Sequence, residues 1–425
     1  MIKYLGCLSG FLLLLGAGAN AQSVKDAIHT NIDILTSSAM HGRGYVQNGV
    51  EQASVFIQRR FKEYKLKPVT ADGTFIQGYS FGINTFPGIM SLNIDGKELT
   101  AGADYLIDAS SVSYGSTDKK IKVIDLQQIT TKAAWRKTLN SFDEQYVYSL
   151  EHVDSFCKFF SENPRKFAGQ LPRGAFIIPQ TAKLTWEVAQ DTIAATVFYV
   201  KKEVLPTHMK MAAVNVLSHF EPKQKCENVV ACVPGEVKDT FVAITAHFDH
   251  LGMMGDAAMF PGASDNASGT AMLIYLASYF AAHPQHYSIL FIAFSGEEVG
   301  LLGSSFYVSH PVVPLGKIKF LTNIDIMGDA TDGVTVVNAT EYPHQFTMLN
   351  QLNDAHHYIP IIKSRGKAAN SDHYYFSEAG VPSFFFYSNG GKGYYHDVFD
   401  KGDAVTLNNV DGVASLLIDF LGNIN

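Results

Sequence analysis

Phe241-Val242-Ala243-Ile244-Thr245-Ala246 runs directly into His247-Phe248-Asp249-His250. An unbroken apolar run of this length reads as a strand buried on both faces, and the polar residues behind it mark its carboxyl end. The pattern recurs twice: Ile289-Leu290-Phe291-Ile292-Ala293-Phe294 precedes Ser295-Gly296-Glu297-Glu298, and 318–324 precedes Asp325-Ile326-Met327-Gly328. Between the strands the spacing predicts helices over 267–282 and 300–309, and a last helix over 408–421. Continuous apolar strands alternating with helices predict an α/β fold, with a mixed, largely parallel central sheet covered by helices on both faces.

Working outward, 23–38 and 48–65 read as helices, the second with Val50, Ala53, Ile57, Phe61 and Tyr64 on one face before Pro68 ends it. From about Ser91 to Phe220 the chain is a patchwork of short β-like runs, among them Lys122-Val123-Ile124, Gly174–Ile178 and Ala195–Val200, broken by one helical stretch over 144–162. The expected organisation is a catalytic domain over 22–95 and 222–425 with a smaller mixed domain inserted at 96–221. The 425 residues, 47% hydrophobic, are long enough for both.

The first residues carry Met-Ile-Lys, the apolar run Phe11–Leu15 and Ala19-Asn20-Ala21, the order of a secretory signal. Residues 1–21 are therefore expected to be removed, and the protein to be secreted or periplasmic with no membrane attachment afterwards. A net charge of -7 gives no footprint for nucleic acid. Cys157, Cys226 and Cys232 follow the signal, an odd number, so at least one thiol is free unless it pairs between chains. On one strand Cys226 and Cys232 would stand about 20 Å apart, too far to bridge.

In such sheets ligands bind beyond the carboxyl ends of the strands, and the polar residues of this chain gather there. His247, Asp249, Asp265 in the loop Gly262-Ala263-Ser264-Asp265-Asn266-Ala267-Ser268-Gly269, Glu297, Glu298 and Asp325 would converge on one edge. Acids packed so closely repel unless cations neutralise them.

These segments, with Asn323-x-Asp325 and Tyr395-His396, resemble in order and residue type the motifs of the di-zinc exopeptidase family, which includes secreted bacterial leucyl aminopeptidases, glutamate carboxypeptidase II and glutaminyl cyclases. The resemblance covers about Asn228 to Asp400, and more weakly Leu35 to Pro68, where Met40-His41-Gly42-Arg43-Gly44 stands. It implies two Zn2+ ions per chain, one held by His247 and Asp325, the other by Glu298 and His396, with Asp265 bridging. It also implies a cis peptide after Asp265 and Glu297 as general base toward a metal-bound water. Asp249, two residues beyond His247, is placed to accept the other imidazole N–H. His373, in Ser371-Asp372-His373, and Tyr395 are candidates for oxyanion or substrate contacts or, equally, core residues. His250, His356 and His357 carry no motif and are expected to be structural or solvated. The expected activity is aminopeptidase action on peptides; a glutaminyl-peptide cyclase or a carboxypeptidase is the alternative.

Overall fold

The computed structural model describes residues 23–424; the signal-peptide reading of 1–21 lies outside them. The strand predicted from Phe241 spans Val237–His247 and sits between Tyr287–Phe294 and Ile318–Ile324, parallel to both. Ser383–Ser388 adds a fourth parallel strand. His219–Val233 and Val334–Val337 flank this group antiparallel, within one nine-stranded mixed sheet.

Both faces of the sheet are covered, and strand alternation shows how. Val242, Ile244, Ile289 and Phe291 pack with the helices Val24–Leu35, Gly49–Glu63, Ser268–Ala282 and Val410–Gly422. Their neighbours Ala243, Leu290 and Ile292 pack the other way, against Tyr307 and Phe376 of Leu302–Ser309 and His373–Glu378. Ser268–Ala282 is apolar almost all round because it lies deep in the larger core.

A second, eight-stranded sheet runs in the order Lys97–Glu98, Met90–Ile94, Met211–Val216, Tyr114–Asp125, Tyr146–Glu151, Ala175–Gln180, Thr196–Lys201, Tyr105–Ile107. It starts earlier than the insertion expected at 96–221, because Met90–Ile94 pairs with Met211–Val216. The chain enters and leaves this sheet through the long antiparallel pair Ile76–Thr85 and His219–Val233, which belongs to the first sheet. The single helix expected over 144–162 is corrected to the strand Tyr146–Glu151 and the helix Val153–Phe160. Val147 and Leu150 are buried within a parallel ladder, and His152 at φ 63° breaks the chain between the two. All three described cysteines are free and buried, Cys226 and Cys232 on one strand. Among the described residues no helix is long and apolar enough to cross a membrane.

Candidate metal centre

Neighbouring parallel strands bring their carboxyl ends to one edge, and each delivers a site residue there. His247 ends Val237–His247, Glu297 and Glu298 follow Tyr287–Phe294, Asp325 follows Ile318–Ile324, and His396 lies beyond Ser383–Ser388. Asp265 comes from the loop that enters Ser268–Ala282. His247 Nε2 stands 3.2 Å from Asp325 Oδ1 and 3.4 Å from Asp265 Oδ1. His396 Nε2 stands 3.2 Å from Asp265 Oδ2 and 3.1 Å from Glu298 Oε2. The two oxygens of one carboxylate thus face two different imidazoles, and the five residues divide into two donor sets that share Asp265.

These residues fit a pair of cations. Imidazole nitrogens and carboxylate oxygens are the donor types that zinc takes, and the donor atoms of His247, Asp265 and Asp325 lie within 4.8 Å of one another. His396 Nε2 is buried and makes no hydrogen bond to either nearby carboxylate. It lies within 3.2 Å of both, and donor atoms of His250, Asp265 and Glu298 also gather within 4.8 Å of one another there. The peptide Asp265–Asn266 is cis, as the resemblance implies.

The electrostatics separate the two adjacent glutamates. Burial raises Glu298, but His396 and His250 outweigh it and hold the carboxyl at about 2. Burial also raises Glu297, and there Glu298, Asp372 and Asp325 add to the rise against His247, so its pKa lies well above the usual range. One side chain is a standing carboxylate and the other readily takes a proton. Burial pushes His396 down, yet Glu298 and Asp265 hold it up at about 11. His247 is likewise raised, with Asp325 and Glu297 outweighing burial.

Outside the donors lies a shell of polar contacts. Thr245 Oγ1 donates to Asn323 Oδ1, Asn323 Nδ2 to Ser371 Oγ, and Ser371 Oγ to Asp325 Oδ2, at 2.7, 2.9 and 3.0 Å. Asp400 accepts the N–H groups of Ser264 and Asp265. Arg43, wholly buried, donates to five backbone carbonyls around the Asp265 loop. Tyr45 Oη donates to Asp249 Oδ2 at 2.8 Å, and the Glu297 N–H donates to Asp249 Oδ1 at 3.2 Å.

Asp249 does not hold His247 as expected. Its carboxylate is 3.8 Å from Nδ1, whereas its own backbone oxygen is 3.3 Å away, so its side chain serves Tyr45 and the Glu297 backbone instead. His373 is buried with its ring against Phe385, and burial lowers it to about 4; none of its described contacts reaches the five donors. Tyr395 is half exposed and stacks on the His396 ring at 3.8 Å, beside a cavity lined by Ser264, Asp265, Ile326, Tyr394 and Val405. His356 and His357 are exposed at the end of Pro343–His356.

His250 is the residue that sequence reasoning undervalued. It is fully buried, and its Nδ1 lies 2.6 Å from Glu298 Oε1, which leaves Oε2 for the His396 side. The signal was its place one residue past Asp249 on a strand-end loop. His250→Ala is expected to weaken metal binding about 10- to 100-fold, the usual cost of losing a group that orients a ligand. Competition with a chelator measures this, and unchanged affinity would refute the role.

Residues 228–421 match the family model described as Peptidase family M28. The chain is 29% identical over 217 residues to aminopeptidase YwaD of Bacillus subtilis, a match covering 49% of this chain and 45% of that protein. It is 36% identical over 119 residues to a probable zinc metalloprotease of Pyricularia oryzae, covering 27% and 24%. The matches thus span about half, or less, of the length of these curated relatives. Among solved structures, BSAP, a zinc aminopeptidase from Bacillus subtilis, aligns with a TM-score of 0.66 at 19% identity over 93% of this chain and 94% of that one. This likeness shows the shared mixed α/β fold across both sheets.

Proposed function

We propose, from the premise that residues 228–421 belong to peptidase family M28, that this chain is an exported zinc-dependent exopeptidase. In this reading it removes N-terminal residues from peptides and holds two zinc ions. The observation that supports the reading is the division of Asp265 between His247 and His396, through which five residues would offer two adjoining cation positions.

His247 and Asp325 would hold one ion, His396 and Glu298 the other, and Asp265 both. When bound, such ions polarise a carbonyl and make a water acidic. The chain's own residues do the remaining work. Glu297, its backbone fixed by Asp249, takes a proton from the attacking water and returns it to the leaving amine. Its raised pKa suits a group that accepts a proton in one step and gives it up in the next. Tyr395 is held in its protonated form, by burial and then by Asp265 and Glu298, so its hydroxyl is available as a donor to a developing oxyanion. The cavity beside Asp265 and Tyr395 would receive the substrate's side chain.

A panel of aminoacyl anilides tests the proposal. Hydrolysis is expected with zinc, is lost on chelation and fails when the α-amine is acetylated. Indifference to acetylation would sink the aminopeptidase reading, and a glutaminyl peptide in the same panel reports cyclisation.

A further inference from the structure

We infer that loop 181–190, carried by the second sheet, is the outer support of the metal ligand His396, and that Lys183 is its positioning residue. The inference rests on the metal-centre reading above and deepens it. His396 sits at φ 55°, in the left-handed region that few non-glycine residues occupy, although histidine does so more often than most. The chain leading to it, Asn389-Gly390-Gly391-Lys392-Gly393, has little stiffness of its own.

The restraint comes from across the molecule. Trp186 and His396 exchange two bonds: the Trp186 N–H donates to the His396 carbonyl at 3.0 Å, and His396 Nδ1 lies 2.8 Å from the Trp186 carbonyl. Since a carbonyl can only accept, that second bond requires a proton on Nδ1, so Nε2 is the nitrogen that an ion, by displacing its proton, would take. Trp186 is in turn fixed by stacking on Phe260 at 4.7 Å and by its indole N–H on the Ile107 carbonyl at 2.8 Å.

Lys183 closes the clamp from the same loop. Its Nζ is 2.7 Å from the Gly393 carbonyl, 2.9 Å from the Tyr395 carbonyl and 2.7 Å from Asp397 Oδ2. All three ammonium protons are therefore spent on the residues that bracket His396. A partly exposed lysine in one ion pair contributes little to folding. One that fixes three points around a metal ligand acts on the geometry of that ligand.

The test compares zinc affinities of the full chain, wild type against Lys183→Met, by competition with a chromogenic chelator, with Co2+ absorption reporting ligand geometry. The expected result is one site weakened about 10- to 100-fold with an altered Co2+ spectrum, the other site unchanged, and the same melting temperature for the metal-free proteins. In a His396→Ala background the same change is expected to have no further effect on the remaining site. Equal affinities in Lys183→Met and wild type, equal weakening of both sites, or a lower melting temperature of the metal-free protein would each overturn the inference. If Lys183→Met does not fold, Lys183→Arg carries the same comparison, because its charge is kept while its planar fork cannot meet the same three acceptors. Wild-type protein that takes up no zinc would instead overturn the metal-centre reading itself.

Discussion

Glu297→Gln is expected to lower turnover of an aminoacyl anilide by about 100- to 10,000-fold, the usual contribution of a positioned general base, while both metals stay bound. The substitution keeps the side chain's size and its backbone anchor on Asp249 but removes the proton-accepting oxygen. Glu298, one residue on, has a carboxylate oxygen within 4.8 Å of one of Glu297, but its Oε1 is engaged by His250 and its Oε2 faces His396. Glu298→Gln is therefore expected to lose zinc from the His396 site, and to lose activity for that reason. Metal analysis beside kcat separates the two. If Glu297→Gln sheds a metal and Glu298→Gln retains both, the roles assigned to the pair are reversed.

Why the ligands were readable in the sequence and their supports were not follows from where each kind of residue stands. Two of the candidate ligands follow buried strands, so the apolar run Phe241–Ala246 points directly at His247, and Ile318–Ile324 at Asp325, whereas Asp265 and His396 stand off the strands and were placed by the family resemblance. The supports obey no such spacing. Trp186 and Lys183 lie some two hundred residues from His396 in sequence, on a loop between two strands of the second sheet, and meet it only in the folded chain. Asp249 shows the converse: its position two residues after His247 predicted a bond to the imidazole, but Tyr45 and the Glu297 N–H claim the carboxylate. The misread helix over 144–162 has a similar cause, since short apolar runs carry little periodicity and the parallel ladder that makes Tyr146–Glu151 a strand is non-local.

Arg43→Met is expected to prevent folding of the whole first-sheet region, which would appear as loss of soluble protein or of a cooperative thermal transition. All five guanidinium N–H groups are used: Nε donates to Phe248 O at 2.8 Å, Nη1 to Leu35 O and Pro261 O at 3.0 and 2.6 Å, Nη2 to Gly262 O and Asp265 O at 2.7 and 3.3 Å. Methionine fills much of the volume but leaves five carbonyls without that partner, each buried acceptor costing about 1–3 kcal/mol. Two or three such losses rival the roughly 5–15 kcal/mol that holds a domain together. Burial lowers Arg43 to about 10, with Asp265 and Asp400 opposing the drop, so the side chain still brings a positive charge beneath the acidic site at neutral pH. Arg43→Lys keeps that charge but has three donors on a single atom, which cannot span carbonyls contributed by Leu35, Phe248 and the 261–265 loop. It is expected to recover little of the loss. A soluble Arg43→Met protein that melts within a few degrees of wild type would show that the Asp265 loop holds its shape without the guanidinium, through the bonds it makes to Asp400, Ile324 and its own backbone.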